Sequence, residues 1–146
     1  MPMIDVYATV GTFADKHALA GKLAATLMEI EQVPDIPLFR SNTAGFVHEL
    51  PAGDLSNVDG ADNYVRVQVL TNAGALDRDK QLAVVERFTQ IVADAVGDSS
   101  IAERTWVLLT EAVPGGWGLH GHANTNEELV AAARAEIATL TSKPAS

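Results

Sequence analysis

The chain has no cysteine. Disulfides, thiolate nucleophiles and cysteine-ligated metals are therefore excluded. Cations are scarce too: ten Lys+Arg stand against 19 Asp+Glu, a formal charge of −9. So acidic a surface repels phosphate backbones and anionic lipid heads, and neither nucleic acid nor membrane is expected as a partner. No apolar run approaches the roughly 18 residues a membrane helix needs. No basic segment precedes the first apolar stretch, MPMIDVYATV, so a signal peptide is not expected and a cytoplasmic protein is. Aromatics make up only 5% of the residues, two of them Trp. Apolar residues reach 47% over 146 positions, enough for one domain with its own core.

The apolar spacing alternates between two periods. Ile4, Val6, Ala8 and Val10 share one side of a strand, which Gly11-Thr12 ends. Leu19, Leu23 and Leu27 then recur every four residues, the stripe of a helix lying on a sheet, with Pro34 and Pro37 as its stop. A second strand is predicted over 43–50, with Ala44, Phe46, His48 and Leu50 on one face, and a polar loop over 54–63. Val65, Val67 and Val69 mark a third strand over 64–70. A helix over 76–96 carries Leu82, Val85, Phe88, Val92 and Ala95, with Gly97 as its stop. A fourth strand covers 105–111, and a short extra strand falls within 117–122. Thr125 and Glu128 form a capping box before a last helix striped by Leu129, Ala133, Ile137 and Leu140.

Shifted by 62 or 63 places, the two halves coincide: Gly11 falls on Gly74, Leu19 on Leu82 and Glu49 on Glu111. The predicted fold is α+β: two tandem βαβ units forming a four-stranded mixed sheet with two helices on one face, plus a short C-terminal hairpin and helix. One domain spans 1–146, with pseudo-repeats at about 2–53 and 64–118 and the last helix at about 126–140. The bare sheet face, carrying Tyr7, Arg66 and Trp106, asks for an oligomer to cover it.

Pro2 follows only the initiator methionine and directly precedes a strand. Methionine aminopeptidase removes Met before a small residue, which leaves a secondary amine. Such an amine has an ordinary pKa near about 8, which burial lowers, so a prolyl nitrogen can serve as a rigid general base. Against this, a chain starts Met-Pro by chance often enough. Arg66 can hold an anion, though an interface arginine paired with an acid is the plainer reading. Asn72 can hydrogen-bond a carbonyl or simply make a turn. Trp117 can wall a pocket or anchor a subunit contact, and Trp106 is more often core. His48, His120 and His122 lack the further ligands a metal site needs, so no metal is expected, and no other cofactor is. Gly115-Gly116-Trp117-Gly118 lacks the Lys and Ser/Thr of a phosphate loop.

Met-Pro before an alternating strand resembles the tautomerase superfamily, whose members use an N-terminal proline. Thr110-Glu111 followed by Trp117 between glycines is similar to the end of 4-oxalocrotonate tautomerase, where a Thr-Glu pair closes a strand before a Gly-aromatic-Gly hairpin. Trp106-Val107 and Pro51-Ala52-Gly53 resemble stretches of cis-3-chloroacrylic acid dehalogenase, a fused-length member. The resemblance spans about the first 122 residues. It implies a tautomerase-like fold, a homotrimer, and Pro2 as general base in keto–enol tautomerisation of a small enol or α-keto acid. Arg66, Asn72, Trp106 and Trp117 are then expected to line the substrate pocket.

Departures from the family pattern narrow the activity. Asn72 and Ala75 stand where the dehalogenase has two carboxylate-gripping arginines, Leu27 where it has a histidine and Leu119 where it has a water-activating glutamate. The arginines of malonate semialdehyde decarboxylase in the same turn are missing too, and Thr12 and Trp106 replace those of the small tautomerase. Dehalogenation, hydration and decarboxylation are accordingly unsupported, and an isomerase is expected. The alternatives are a degenerate, non-catalytic oligomeric member and a ferredoxin-like module that binds a small ligand, with Pro2 incidental.

Overall fold

The computed structural model describes residues 1–142. In chain order it has strand β1 (Met3–Thr9), helix α1 (Lys16–Glu31), a short helix α2 (Pro37–Ser41), β2 (Ala44–Leu50) and β3 (Val65–Thr71). Helix α3 (Arg78–Val96), a 3-10 turn (Ser99–Arg104), β4 (Thr105–Glu111), β5 (Trp117–Leu119), β6 (His122–Asn124) and α4 (Asn126–Ser142) follow. The main sheet runs β2-β1-β3-β4. β1 and β2 are parallel, β3 and β4 are parallel, and β1 meets β3 antiparallel. This is the predicted pair of βαβ units, joined back to back.

The inner sheet face is built from the alternating residues of two strands. Ile4, Val6, Val67 and Val69 are fully buried, and Ala8 and Val65 nearly so. Both long helices cover that face and also touch each other. Asp15 caps α1 by accepting from the Ala18 amide, and Asp77 caps α3 by accepting from Lys80. Where α1 crosses β2 the fit is so close that a β-carbon on Gly45 would stand 2.7 Å from the Ala20 carbonyl oxygen. Only glycine admits that approach.

Three expectations need correction. The internal repeat is out of phase in its helices: Val84, Phe88 and Val92, which stand 65 places after Leu19, Leu23 and Leu27, are the buried stripe of α3. Leu82 and Val85 face outward, 52% and 38% exposed. The strands keep the shorter offset because hydrogen-bond register fixes them, whereas a longer α3 can rotate its stripe by adding residues. Pro37 does not lie in the stop of α1. Gln32 ends that helix in the left-handed conformation at φ 59°, and Pro37 opens α2 at a first-turn position that needs no amide donor. Leu140 of the last stripe is exposed; Leu129 and Ala133 alone are buried in α4.

Helix α4 opens with the predicted capping box, Thr125 and Glu128 bonding each other's amides. It is fastened to the body at two further points. Asn126 donates its side-chain amide to the Ala73 carbonyl at 2.7 Å, and Glu136 accepts the Leu38 amide at 3.1 Å. Helix α4 therefore lies across the end of β1, over α2 and the turn after β3. No helix among the described residues is long and apolar enough to cross a membrane.

Candidate active site

Strand register brings the chain start to its surroundings. Met3 pairs with Leu70 in the antiparallel β1–β3 ladder, so stepping back two residues sets Met1 against Asn72. The Pro2 carbonyl accepts the Ala44 amide at 3.3 Å, which holds the start of β1 to β2. Pro2 is completely buried and Met1 is 2% exposed. Around Met1 a second, smaller apolar cluster forms from Trp117 and Leu129, with Met3, Leu38, Phe39, Ala112 and Leu119 packed on it.

A cavity of about 530 Å³ opens at this point. Its apolar wall is Phe39 of α2 together with Leu129, Val130, Ala133 and Ile137 of α4. Met1, Glu31 and Asn72 give it a polar corner, and Arg134 stands on the α4 side. The terminal amine donates to Asn72 Oδ1 at 3.4 Å and lies 4.0 Å from Glu31 Oε2. Burial pushes the amine below its ordinary pKa of 8.0, against the opposing pull of Glu31. Burial likewise raises the Glu31 carboxyl above 4.5, more than the amine and Lys80 lower it. Both groups are thus driven toward their neutral forms by the same loss of water. Two polar atoms in this corner are buried with no hydrogen-bond partner, Glu31 Oε1 and Asn72 Nδ2.

The four pocket residues expected from the sequence fall in two places. Asn72 and Trp117 stand beside the chain start, Asn72 in the cavity lining and Trp117 packed on Met1. Arg66 and Trp106 sit on the outer sheet face, away from the cavity. Arg66 donates to Gln68 at 2.9 Å and lies over the Tyr7 ring at 5.6 Å, and Trp106 stacks on Tyr64 with ring centres 4.6 Å apart. Among the described residues Arg66 pairs with no acid, and Trp106, 39% exposed, is not core. His120 is in the β5–β6 turn with φ 54°, so the rings of His120 and His122 do not share a strand face; His122 bonds Glu128. Among the described residues no group of three His, Asp or Glu could hold a metal.

Two residues of the cavity escape the sequence reading. Glu31 does have a signal there. It continues the Leu19, Leu23, Leu27 spacing by four more places, so an acid sits on the buried stripe of α1. Arg134 has none, because nothing in the pattern of α4 says which part of the molecule it covers.

No protein-family model matches the sequence, and no curated protein is similar enough to match it. Solved structures do match. A native fused 4-OT superposes with a TM-score of 0.70 at 17% identity, covering 88% of this chain and 98% of its own. N1, a member of the cis-3-chloroacrylic acid dehalogenase (cis-CaaD) family, gives 0.67 at 18% identity over 97% of this chain and 92% of its own. Malonate semialdehyde decarboxylase gives 0.64 at 15% identity, covering 89% and 98%. At these identities the likeness establishes the fold. That fold is the tautomerase-like one the sequence resembled.

Proposed function

We infer that the protein is an isomerase of the tautomerase type. With Met1 removed, Pro2 acts as the general base that moves a proton between carbon and oxygen of an enol or α-keto acid. The observation that carries this reading is the position of Met1. It occupies a mostly apolar cavity and its amine is desolvated there. Loss of that one residue vacates the space next to the Pro2 nitrogen and makes it the chain's amine in the same dry corner. Desolvation then favours its neutral, proton-accepting form. Trp117, Leu129 and Phe39 remain as walls that exclude water. The solved structures of like fold support the same reading, since they include a fused 4-OT, a member of a dehalogenase family and a decarboxylase.

The test is ketonisation of phenylenolpyruvate and 2-hydroxymuconate by the native protein and by Pro2→Ala. Alanine still permits Met1 removal and still leaves an amine, but a primary and freely rotating one. The expected loss in kcat/KM is about 10²-fold, at the low end of what general base catalysis contributes. Equal rates for the two proteins exclude Pro2, and no turnover by either favours a fold kept without catalysis.

A homotrimer completes the proposal. Phe46, Leu70, Trp106 and Leu108 stand 37–48% exposed on the sheet face opposite the helices, an apolar patch that a second copy would cover. Three of the solved neighbours are described as fused 4-OT trimers, one symmetric and two asymmetric. Light scattering on a sizing column is expected to read three times the 15.4 kDa chain mass, and a monomer would refute it.

A further inference from the structure

The mechanism inferred above names a base but no partner for the substrate's oxygen, and the places where the fused dehalogenase has arginines hold Asn72 and Ala75. The cavity nevertheless keeps two polar groups in the corner beside Met1. Glu31 is 8% exposed, and its Oε1 has no partner. Asn72 is half-buried, and its Nδ2 also has none. Leaving a buried polar atom unpaired costs about 1–3 kcal/mol, so two in one corner point to a ligand that pairs them. The other oxygen of each group meets at one spot: the Met1 amine is 3.4 Å from Asn72 Oδ1 and 4.0 Å from Glu31 Oε2. Once Met1 is gone, that spot is free and the Pro2 nitrogen is one residue behind it.

Resting on the tautomerase reading, we propose that this spot is the seat of the substrate's keto or enol oxygen, held between Asn72 and a protonated Glu31, with Glu31 as the catalytic acid opposite Pro2. A half-turn of the Asn72 amide presents Nδ2 in place of Oδ1 to the incoming oxygen. In enolisation the Pro2 nitrogen takes the proton from carbon as the C–H bond breaks. The C=C bond forms, and the Glu31 carboxyl gives its proton to the carbonyl oxygen. Prolinium and carboxylate remain, and passage of one proton between them through solvent restores the start. Ketonisation is the reverse. The substrate class follows from the same arrangement. The deep end takes a neutral ketone or enol, the apolar wall of α4 takes a hydrocarbon substituent, and a carboxylate stays outward beside Arg134.

The charged groups facing Glu31 are few. They are the chain-terminal amine, Lys80 of α3, whose Nζ donates to the Glu31 carbonyl at 3.3 Å, and Arg134 across the cavity on α4. Asp77 and Asp79 flank Lys80 in the neighbouring groove. Enolisation needs the amine unprotonated and Glu31 protonated. The rate of enolisation is therefore expected to pass through a maximum in pH, low on the acid side where the amine is protonated and low on the alkaline side where Glu31 is ionised.

Two measurements on the mature chain decide it. The first is the pH profile of phenylpyruvate enolisation, followed as exchange of its C3 hydrogens for deuterium, for native protein and Glu31→Gln, an isosteric change that cannot transfer a proton. We expect kcat to fall about 10²-fold, KM to move less than about threefold, and the high-pH limb to vanish. The second needs no turnover. Benzoylformate, an α-keto acid without an enolisable C–H, is labelled with carbon-13 at its ketone, and its C=O band is read by infrared difference spectroscopy. In native protein the band is expected at lower frequency than in water, because hydrogen bonds strengthen in a dry site, and the shift is expected to shrink in Glu31→Leu and in Asn72→Ala. A native band at the solution frequency, or a shift indifferent to both substitutions, overturns the oxygen site whatever the turnover. So does a Glu31→Gln enzyme that keeps its rate and its high-pH limb. If the shift depends on both residues while Pro2→Ala turns over as well as native protein, the oxygen site stands and the proline base falls.

Discussion

Protein that keeps Met1 is expected to ketonise phenylenolpyruvate about 10⁴-fold more slowly than protein that has lost it, as far as the upper range of general base catalysis extends. Two effects act together. With Met1 in place the Pro2 nitrogen is a tertiary amide, which carries no basic lone pair, so the proposed base does not exist. The Met1 side chain also fills the space the substrate needs, packed on Trp117 and Leu129 at 2% exposure. This effect should exceed that of Pro2→Ala, which leaves both an amine and an open cavity. The measurement is an intact mass for each preparation, followed by the assay. Met1 can be retained by expressing in cells with the aminopeptidase inhibited, and then trimmed enzymatically to recover the rate in one sample. A rate that is the same before and after trimming would remove the chain-terminal amine from the mechanism altogether.

The second large effect is on stability. Phe88→Ala is expected to cost about 3–5 kcal/mol, the range for emptying a buried phenyl site in a packed core. Phe88 of α3 is completely buried in the main cluster, at the middle of the stripe that also holds Val84 and Val92. For a domain this size each kcal/mol moves the midpoint by roughly 2–4 °C, so thermal unfolding should come about 10 °C earlier. Leu82→Ala, one and a half turns away and half exposed, should cost under about 1 kcal/mol. The pair of measurements separates the two phases of the internal repeat. A Leu82→Ala as costly as Phe88→Ala would restore the offset that the sequence alone favours.

Much of the architecture is legible in residue spacing. Period-two runs at Ile4–Ala8 and Val65–Val69 and the four-residue spacing of Leu19, Leu23 and Leu27 each report a local preference for burying one face. That preference is written in the chain itself, so the three long helices and the tandem βαβ plan could be read from it, while the short α2 could not. The resemblance at Met-Pro and at Thr110-Glu111 added which fold such a plan belongs to. Helix phase in the second half was not legible, since Leu82, Val84, Val85 and Phe88 offer two overlapping stripes and only packing against the sheet selects one.

The candidate site divides in the same way. Pro2 and Trp117 could be singled out as candidates because their residue types and places resemble a known pattern, and Asn72 by its place alone. Glu31 carried a sign that spacing alone makes plain, an acid on an apolar stripe. Arg134 and the apolar wall of α4 carried none. What the sequence determined by itself is the set of local conformations, including the strand that begins beside the chain-terminal amine, because these depend on neighbours within a few residues. What only tertiary structure decided is that α4, tied down by Asn126 and Glu136, folds across that amine, with Glu31 brought alongside from the end of α1. Contacts between residues 31, 72 and 134 arise from where whole elements pack, and no local preference encodes them.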